Sequence, residues 1–440
     1  MASEQPATSP CTGGGVNVAG ALLSQQDAGA RLRRILEDAG RLKGHHCTTR
    51  EVESLRVAYQ RVVSSIRAGQ LQNLVTQCDN VLWQLETQAK GDHNAHTGDE
   101  DRELKGADTY QIRNIPRRRR MQTFVVSCLC FFTAVPFCLV VFTLMLLHST
   151  TFPIAIVYLI YMWWSRPMHP VKRKPWLFKH PMWEHLRDYF PVRLVVPRAA
   201  RRLIVPPKNY IFCYHPHGVH SFGVLGSFVS DANDVDRWLP GITIHPQTLG
   251  INFWIPFWRE LGLGLGLGDA SAACIRKTLA SGPGESVLIV VGGAEESLLS
   301  SPNTNDLLLT KRKGFVKIAL QTGSPLVPIF GFGETNCYGN WADGRPWLQR
   351  ILKMSQKKLG FAIPAVKGRG WFTYSGGFLP HRRQIITVVG EPLAVPKIAN
   401  PTPKDIDEWH HRYVECLLRL YRENKDVYDL QSRKDASIVS

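Results

Sequence analysis

Tyr210-Ile211-Phe212-Cys213-Tyr214-His215-Pro216-His217-Gly218 joins an apolar run to two histidines around a proline. Residues 210–214 are aromatic or β-branched apart from one cysteine, which reads as a buried strand, and the following Pro and Gly end it. Both imidazoles therefore sit where a strand's carboxyl end gives way to a loop. A helix expected from about Val219 would present amides and a positive dipole end, disfavouring imidazolium and leaving a neutral base. Two histidines in one tight loop on a rigid scaffold point to general-base chemistry.

Working outward, Ser286–Val291, Leu326–Phe330 and Ile385–Val389 are further apolar runs, most of them separated by helical patterns. They predict an α/β domain, a mixed, mainly parallel sheet flanked by helices. Each run is followed by glycine and a polar group: Gly292-Gly293-Ala294-Glu295-Glu296, Gly331-Phe332-Gly333-Glu334 and Gly390-Glu391. If all strands are parallel, these clusters meet the histidines on one sheet edge. A carboxylate of one of these clusters beside a histidine would fix its tautomer and stabilise the imidazolium, and glycines such as Gly218, Gly292 and Gly293 would let amides approach an oxyanion. Lys313–Leu320 predicts a short amphipathic helix, and Thr402-Pro403 with Asp405 opens a helix burying Ile406, Trp409, Tyr413, Leu417 and Leu420.

Lys311, Arg312, Lys313 and Lys317 form a basic cluster suited to a polyanionic nucleotide such as coenzyme A, or to water as a solvated face. Leu261–Gly268 lacks the dinucleotide spacing and reads as an apolar loop. Asn252–Phe257 would line an acyl channel, fill the core or face lipid. A zinc site of His215, His217 and His220 with Glu295 or Glu296 is disfavoured by three histidines within six residues beside a proline, so no metal is expected. No G-x-S-x-G is present, and Cys213 reads as core.

The 440 residues carry a net charge of +17. No zinc-finger or RNP-like pattern favours nucleic acid. Instead, the basic clusters Arg117–Arg120 and Arg166–Lys174 bracket an almost uncharged stretch, Met121–Trp164, broken at His148-Ser149-Thr150-Thr151. The arm Met121–Leu147 is long enough to span a bilayer core of ~30 Å and Phe152–Trp164 is short, which predicts a membrane hairpin with both flanks cytosolic. The ten cysteines form no CxxC pair, consistent with reduced thiols. The domain reading is a disordered start at 1–25, a helical accessory module at 26–88, a linker at 89–116, the hairpin with its flanks at 117–174, an α/β domain at 175–425 and a polar tail at 426–440. A stripe from Leu55 to Leu85 makes residues 50–88 a candidate for self-association.

Several blocks together resemble the type-2 diacylglycerol acyltransferase family: Asp188-Tyr189-Phe190-Pro191, Tyr210–Gly218, Val290–Gly293 with Glu296-Ser297, Arg312-Lys313-Gly314-Phe315, Leu326-Val327-Pro328, Phe332-Gly333-Glu334 and Gly368-Arg369-Gly370. The likeness covers about Trp176 to Tyr421. It implies an enzyme of the endoplasmic reticulum membrane, with lipid droplets as a second surface. The enzyme would move an acyl group from acyl-coenzyme A to the hydroxyl of diacylglycerol, without a cofactor. Monoacylglycerol or a fatty alcohol are alternative acceptors, and a non-catalytic lipid-binding scaffold is the alternative class. In the implied mechanism His217 takes the hydroxyl proton, Glu296 supports it, His215 shapes the site, and no acyl-enzyme forms. Arg312, Lys313, Gly314, Phe315, Glu334 and Arg369 would bind substrate. Lys367, where relatives commonly carry His, and His220-Ser221, where apolar or small residues are usual, depart from the family pattern.

Overall fold

The computed structural model describes residues 25–42, 54, 55, 58, 116–165, 172–359, 364–373, 376–429 and 435–439. The chain divides into two compact units, 1–108 and 109–440. In the first, α1 (Gln25–Leu42) buries Leu32, Ile35 and Ala39 at helical spacing. The stripe beyond Leu55, the expected disordered start before Gln25 and the linker lie outside the described residues apart from isolated positions.

In the second unit the helices that position the site are α2 (Arg117–Leu129), α3 (Phe131–Leu147), α4 (Phe152–Trp164), α5 (Met182–Tyr189), α6 (Phe222–Ser227), α7 (Trp258–Gly264), α8 (Gly293–Leu299), α9 (Gly314–Thr322) and α10 (Pro403–Tyr428). The strands are β1 (Val192–Val195), β2 (Ile211–His215), β3 (Thr243–Thr248), β4 (Gly268–Asp269), β5 (Glu285–Val290), β6 (Asp306–Leu308), β7 (Leu326–Phe332), β8 (Gly339–Asn340), β9 (Val366–Lys367), β10 (Ile385–Val389) and β11 (Ser437–Val439). Seven of them form the main sheet in the order β1-β10-β7-β2-β5-β3-β4.

β2 lies at the centre, parallel to β5 on one side and to β7 on the other, with Tyr214 opposite both Val290 and Ile329. The alternation of its side chains builds two cores. Phe212 and Tyr214 pack with Trp183, Tyr189 and Phe222 on one face, and Ile211 and Cys213 with Phe315, Tyr413 and Leu417 on the other. α10 closes the second face and begins as the sequence predicts: Thr402 caps it in a reciprocal capping box with Asp405, and Pro403 is its first residue.

Four expectations change. β10 pairs β7 antiparallel, with Ile386 opposite Phe332, so Gly390-Glu391 lies at the opposite edge from the histidines. The reason is the turn after β7: Gly333 sits beside Gln384, so the chain leaves and re-enters the sheet at the same edge. Leu261–Gly268 is the end of α7 and the start of β4 rather than a flexible loop. The tail contains β11, which pairs parallel with β6. Finally, Met121–Leu147 is not one helix. α2 and α3 meet at Cys130 with a bend of 65°, and among the described residues no single helix is long and apolar enough to cross a membrane.

The break divides labour. α2 buries Val125, Val126 and Leu129 in the first core and lies against α5. α3 and α4 pack against each other while leaving Phe137, Leu147, Val157 and Trp164 exposed by 69%, 78%, 66% and 83%. The buried Arg259 guanidinium ties α4 to the domain by donating to the Met162 carbonyl and to Ser165. Phe257 stacks on Tyr158 of α4, while Phe253 is buried and Trp254 exposed.

Gly333 tests the β7 turn. Its φ is +85°, and a Cβ there would stand 2.2 Å from the Gln384 carbonyl oxygen. Gly333→Ala is expected to destabilise the domain by about 2 kcal/mol or more, seen as a lowered Tm in detergent. An unchanged Tm would contradict this turn geometry.

Candidate active site

The parallel pairing of β2 with β5 and β7 brings three of the predicted clusters to one edge: His215–Gly218, Gly292–Glu296 and Gly333-Glu334. The loop leaving β2 is stapled from beneath. Glu296, on the first turn of α8, directs Oε1 to the His217 amide at 2.5 Å and Oε2 to the Leu308 amide at 2.9 Å. The carboxylate is buried, and burial raises its pKa against the lowering effect of the two amides. Gly292 is required for this fold-back, because a Cβ there would lie 2.1 Å from Glu296 Oε2. Glu296 therefore holds the backbone of His217, whereas the sequence reading placed it against the imidazole.

The imidazole is oriented from elsewhere. His217 Nδ1 lies 3.0 Å from the Gly218 carbonyl oxygen, which only accepts, so Nδ1 carries the proton and Nε2 of the neutral ring keeps its lone pair. Burial, and to a smaller degree the positive charge of Arg312, lower the His217 pKa below 6.5. The expected helix start at Val219 is displaced to Phe222, with Ser221 in the left-handed region at φ 52°.

His215 faces away. The alternation of β2 points it into the second core, where Nε2 lies 3.0 Å from the Tyr413 hydroxyl. It is 1% exposed, and burial lowers its pKa to about 3. His220 occupies a third environment, with Nε2 3.7 Å from the Cys130 thiol and its ring 4.8 Å from that of Phe132. The three imidazoles have different partners and do not converge as a ligand set.

Glu334 was read as a substrate contact, but it is 1% exposed and fully engaged within the protein. Oε1 accepts from the Phe222 amide, and Oε2 from the Gly223 amide and the Tyr214 hydroxyl, at 2.7, 2.8 and 2.9 Å. It thus pins the start of α6, and burial raises its pKa to about 7. Gly218, at φ +57°, makes room for it, since a Cβ would meet Glu334 Cγ at 2.7 Å. Gly293, at φ +64°, has nothing within 4 Å of the equivalent position.

Arg369 is also internal. Its guanidinium donates to the Tyr189 hydroxyl and to Thr123 Oγ1, each at 2.8 Å, binding α2 to α5. Of the remaining predicted contacts, Arg312 lies near enough for its charge to act on His217. Arg312 and Lys313 are partly exposed and pair with Glu295 at 3.1 Å and Asp407 at 2.6 Å. Gly314 opens α9, and Phe315 packs edge-on against Tyr413. Lys367 is exposed beside Trp341. Tyr214, Leu308 and Tyr413 were not anticipated as supporting groups. The period-two alternation of β2 was the available signal for Tyr214, while the other two arise from tertiary contacts.

The sequence model of the family described as Diacylglycerol acyltransferase matches residues 143–439. The chain is 40% identical over 316 residues to Diacylglycerol O-acyltransferase 2 of Dictyostelium discoideum, covering 71% of this chain and 94% of that protein. It is 36% identical over 335 residues to Diacylglycerol O-acyltransferase 2B of Umbelopsis ramanniana, covering 75% and 94%. It is 34% identical over 323 residues to 2-acylglycerol O-acyltransferase 1 of Homo sapiens, covering 72% and 95%. On these matches the chain belongs to the diacylglycerol acyltransferase family.

Proposed function

We propose that this chain transfers a fatty acyl group from acyl-coenzyme A to the free hydroxyl of diacylglycerol, forming triacylglycerol, with His217 as general base. The observation that carries this reading is the His217 geometry: an imidazole at the carboxyl edge of parallel strands, its backbone fixed by Glu296, with Nδ1–H committed to the Gly218 carbonyl. Nε2 is thereby the proton acceptor. The acceptor oxygen attacks the thioester carbonyl as Nε2 takes its proton. The C–O bond forms, the C–S bond breaks, and the imidazolium returns the proton to the departing thiolate, so no acyl-enzyme is required.

We assign the developing oxyanion to the Gly292-Gly293 turn, where Gly293 has open space beside it. Arg312 and Lys313 supply positive charge for the phosphates of coenzyme A. His215, Glu334 and Arg369 act as positioning residues. The exposed apolar faces of α3 and α4, with Arg117–Arg120 forming the first turn of α2, support a hairpin seated in the endoplasmic reticulum membrane and a cytosolic catalytic domain.

The direct test supplies labelled acyl-coenzyme A to membranes containing the protein, with diacylglycerol, monoacylglycerol or a long-chain alcohol. Triacylglycerol formed chiefly from diacylglycerol is expected. Preference for another acceptor would move the enzyme within its family, and transfer to none would favour a lipid-binding scaffold.

The two histidines should separate. His217→Ala is expected to lower kcat by about 10²–10⁴-fold with little change in Tm. His215→Ala, which removes a buried ring from the second core, is expected to cost about 2 kcal/mol of stability. Full activity in His217→Ala would exclude it as the base.

The pH dependence follows from the sign of the shift. The base works when neutral, and its pKa lies below 6.5. The limb of kcat/KM that reports it should therefore fall only as the pH drops below 6.5, leaving a flat profile from pH 7 to 8. A half-maximal point above pH 7 on the acid side would contradict the assignment.

A further inference from the structure

The carboxylate that fixes His217 holds a second segment, and that segment has its own support. Glu296 Oε2 accepts from the Leu308 amide at the end of β6. β6 is not part of the main sheet. Among the described residues its strand partner is β11, parallel to it, with Ser437 opposite Asp306 and Val439 opposite Leu308. The Ser437 amide donates to the Asn305 carbonyl at 3.2 Å, the Ser437 hydroxyl to Asp306 Oδ1 at 2.6 Å, and the Thr310 hydroxyl to the Val439 carbonyl at 3.2 Å. Ala436 and Ile438 lie against the second core, whereas Ser437 is exposed.

We infer that β11 is a positioning strap for the catalytic loop. It fixes β6, β6 fixes the Glu296 carboxylate through the Leu308 amide, and Glu296 fixes the His217 backbone. Leu307 and Leu309 are buried in the second core and His410 lies 3.0 Å from the Leu309 carbonyl, but among the described residues β11 is the strand paired along β6, and a two-strand ribbon is marginal by itself, so freeing β11 would loosen the Leu308 amide. Ser437 is the accessible lever, because its hydroxyl donates to a carboxylate that would repel any negative charge placed there. The inference rests on His217 being the base, and a shift of about 1 Å in such a group can cost about 10²-fold in rate.

The test uses the full chain in membranes, assayed with acyl-coenzyme A and diacylglycerol. Ser437→Asp sets a carboxylate against Asp306, and Ser437→Pro removes the amide donated to Asn305. Neither variant touches the site. Each is expected to lower kcat about tenfold, with KM for acyl-coenzyme A within about twofold and Tm nearly unchanged. Adding Asp306→Asn to Ser437→Asp should restore kcat. Hydrogen exchange of the segment containing His217 should quicken in both single variants, a readout independent of turnover.

Unchanged kcat and exchange in both single variants would overturn the strap. So would a fall in kcat matched by a fall in Tm, which is general destabilisation, or failure of Asp306→Asn to rescue Ser437→Asp. The strap and the base assignment fail separately. Loss of activity in His217→Ala with no effect at Ser437 removes only the strap. Full activity in His217→Ala together with quickened exchange in the Ser437 variants removes only the base.

Discussion

The Glu296 carboxylate accepts one hydrogen bond from the His217 amide and one from the Leu308 amide, and the geometry of the site depends on that double attachment. A buried charge is tolerated only when its acceptor sites are filled, and bonds from amides to a carboxylate are roughly twice as strong as neutral ones. The carboxylate reaches both amides because Gly292 has no side chain. It also needs the β2–β5 register, which places Tyr214 opposite Val290 and so sets the His217 loop beside the start of α8. Slipping that pair by one residue would carry the imidazole to the other face of the sheet.

A second buried carboxylate completes the loop from the opposite side. Glu334 gathers the Tyr214 hydroxyl and two amides at the start of α6. Gly223 and Gly331 leave space for the Tyr214 hydroxyl, which a Cβ at either would approach to 2.1 or 2.0 Å. Fully partnered polar groups in a low-dielectric interior define one arrangement more sharply than apolar contacts do. The loop between the two glutamates is thus held at both ends before any substrate arrives. The base proposed at His217 would benefit, because its position would already be set before substrate binds.

How much of this was legible depends on which physical signal each feature leaves. β2, β5, β7 and β10 announce themselves by composition, and the start of α10 by its capping box, because both are local. Strand direction is not local. β10 runs backwards because Gly333 and Gln384 meet, an approach written in no spacing. The bend at Cys130 is equally hidden, since residues 121–147 are uncharged across it, while α2 buries Val125, Val126 and Leu129 in the first core and α3 leaves most of its length outside it. Glu296 was expected beside a histidine ring, but its partners are the backbone amides of His217 and Leu308, and backbone donors carry no residue identity. His215 and His217 look equivalent in the pentad. Period-two alternation already assigns the first to a core face, which the Tyr413 contact makes visible.

On the proposed reaction, the surroundings of His217 would give the two substrates different approaches. Arg312 is near enough for its charge to act on His217, and Arg312 and Lys313 are both partly exposed and able to exchange their carboxylate partners for phosphate, because half-exposed ion pairs are worth little. His220 is enclosed by Phe131, Phe132, Phe222 and Tyr338, and the first two of these are the opening residues of α3. The root of the apolar hairpin therefore forms part of the wall beside the catalytic loop. A lipid acceptor held between α3 and this wall would remain in apolar surroundings until its hydroxyl reached Nε2, while a nucleotide would stay in water until its thioester did. Such separation would suit a reaction whose substrates differ so widely in polarity, and the packing of α2 into the first core would keep the start of α3, and with it that wall, in a fixed place.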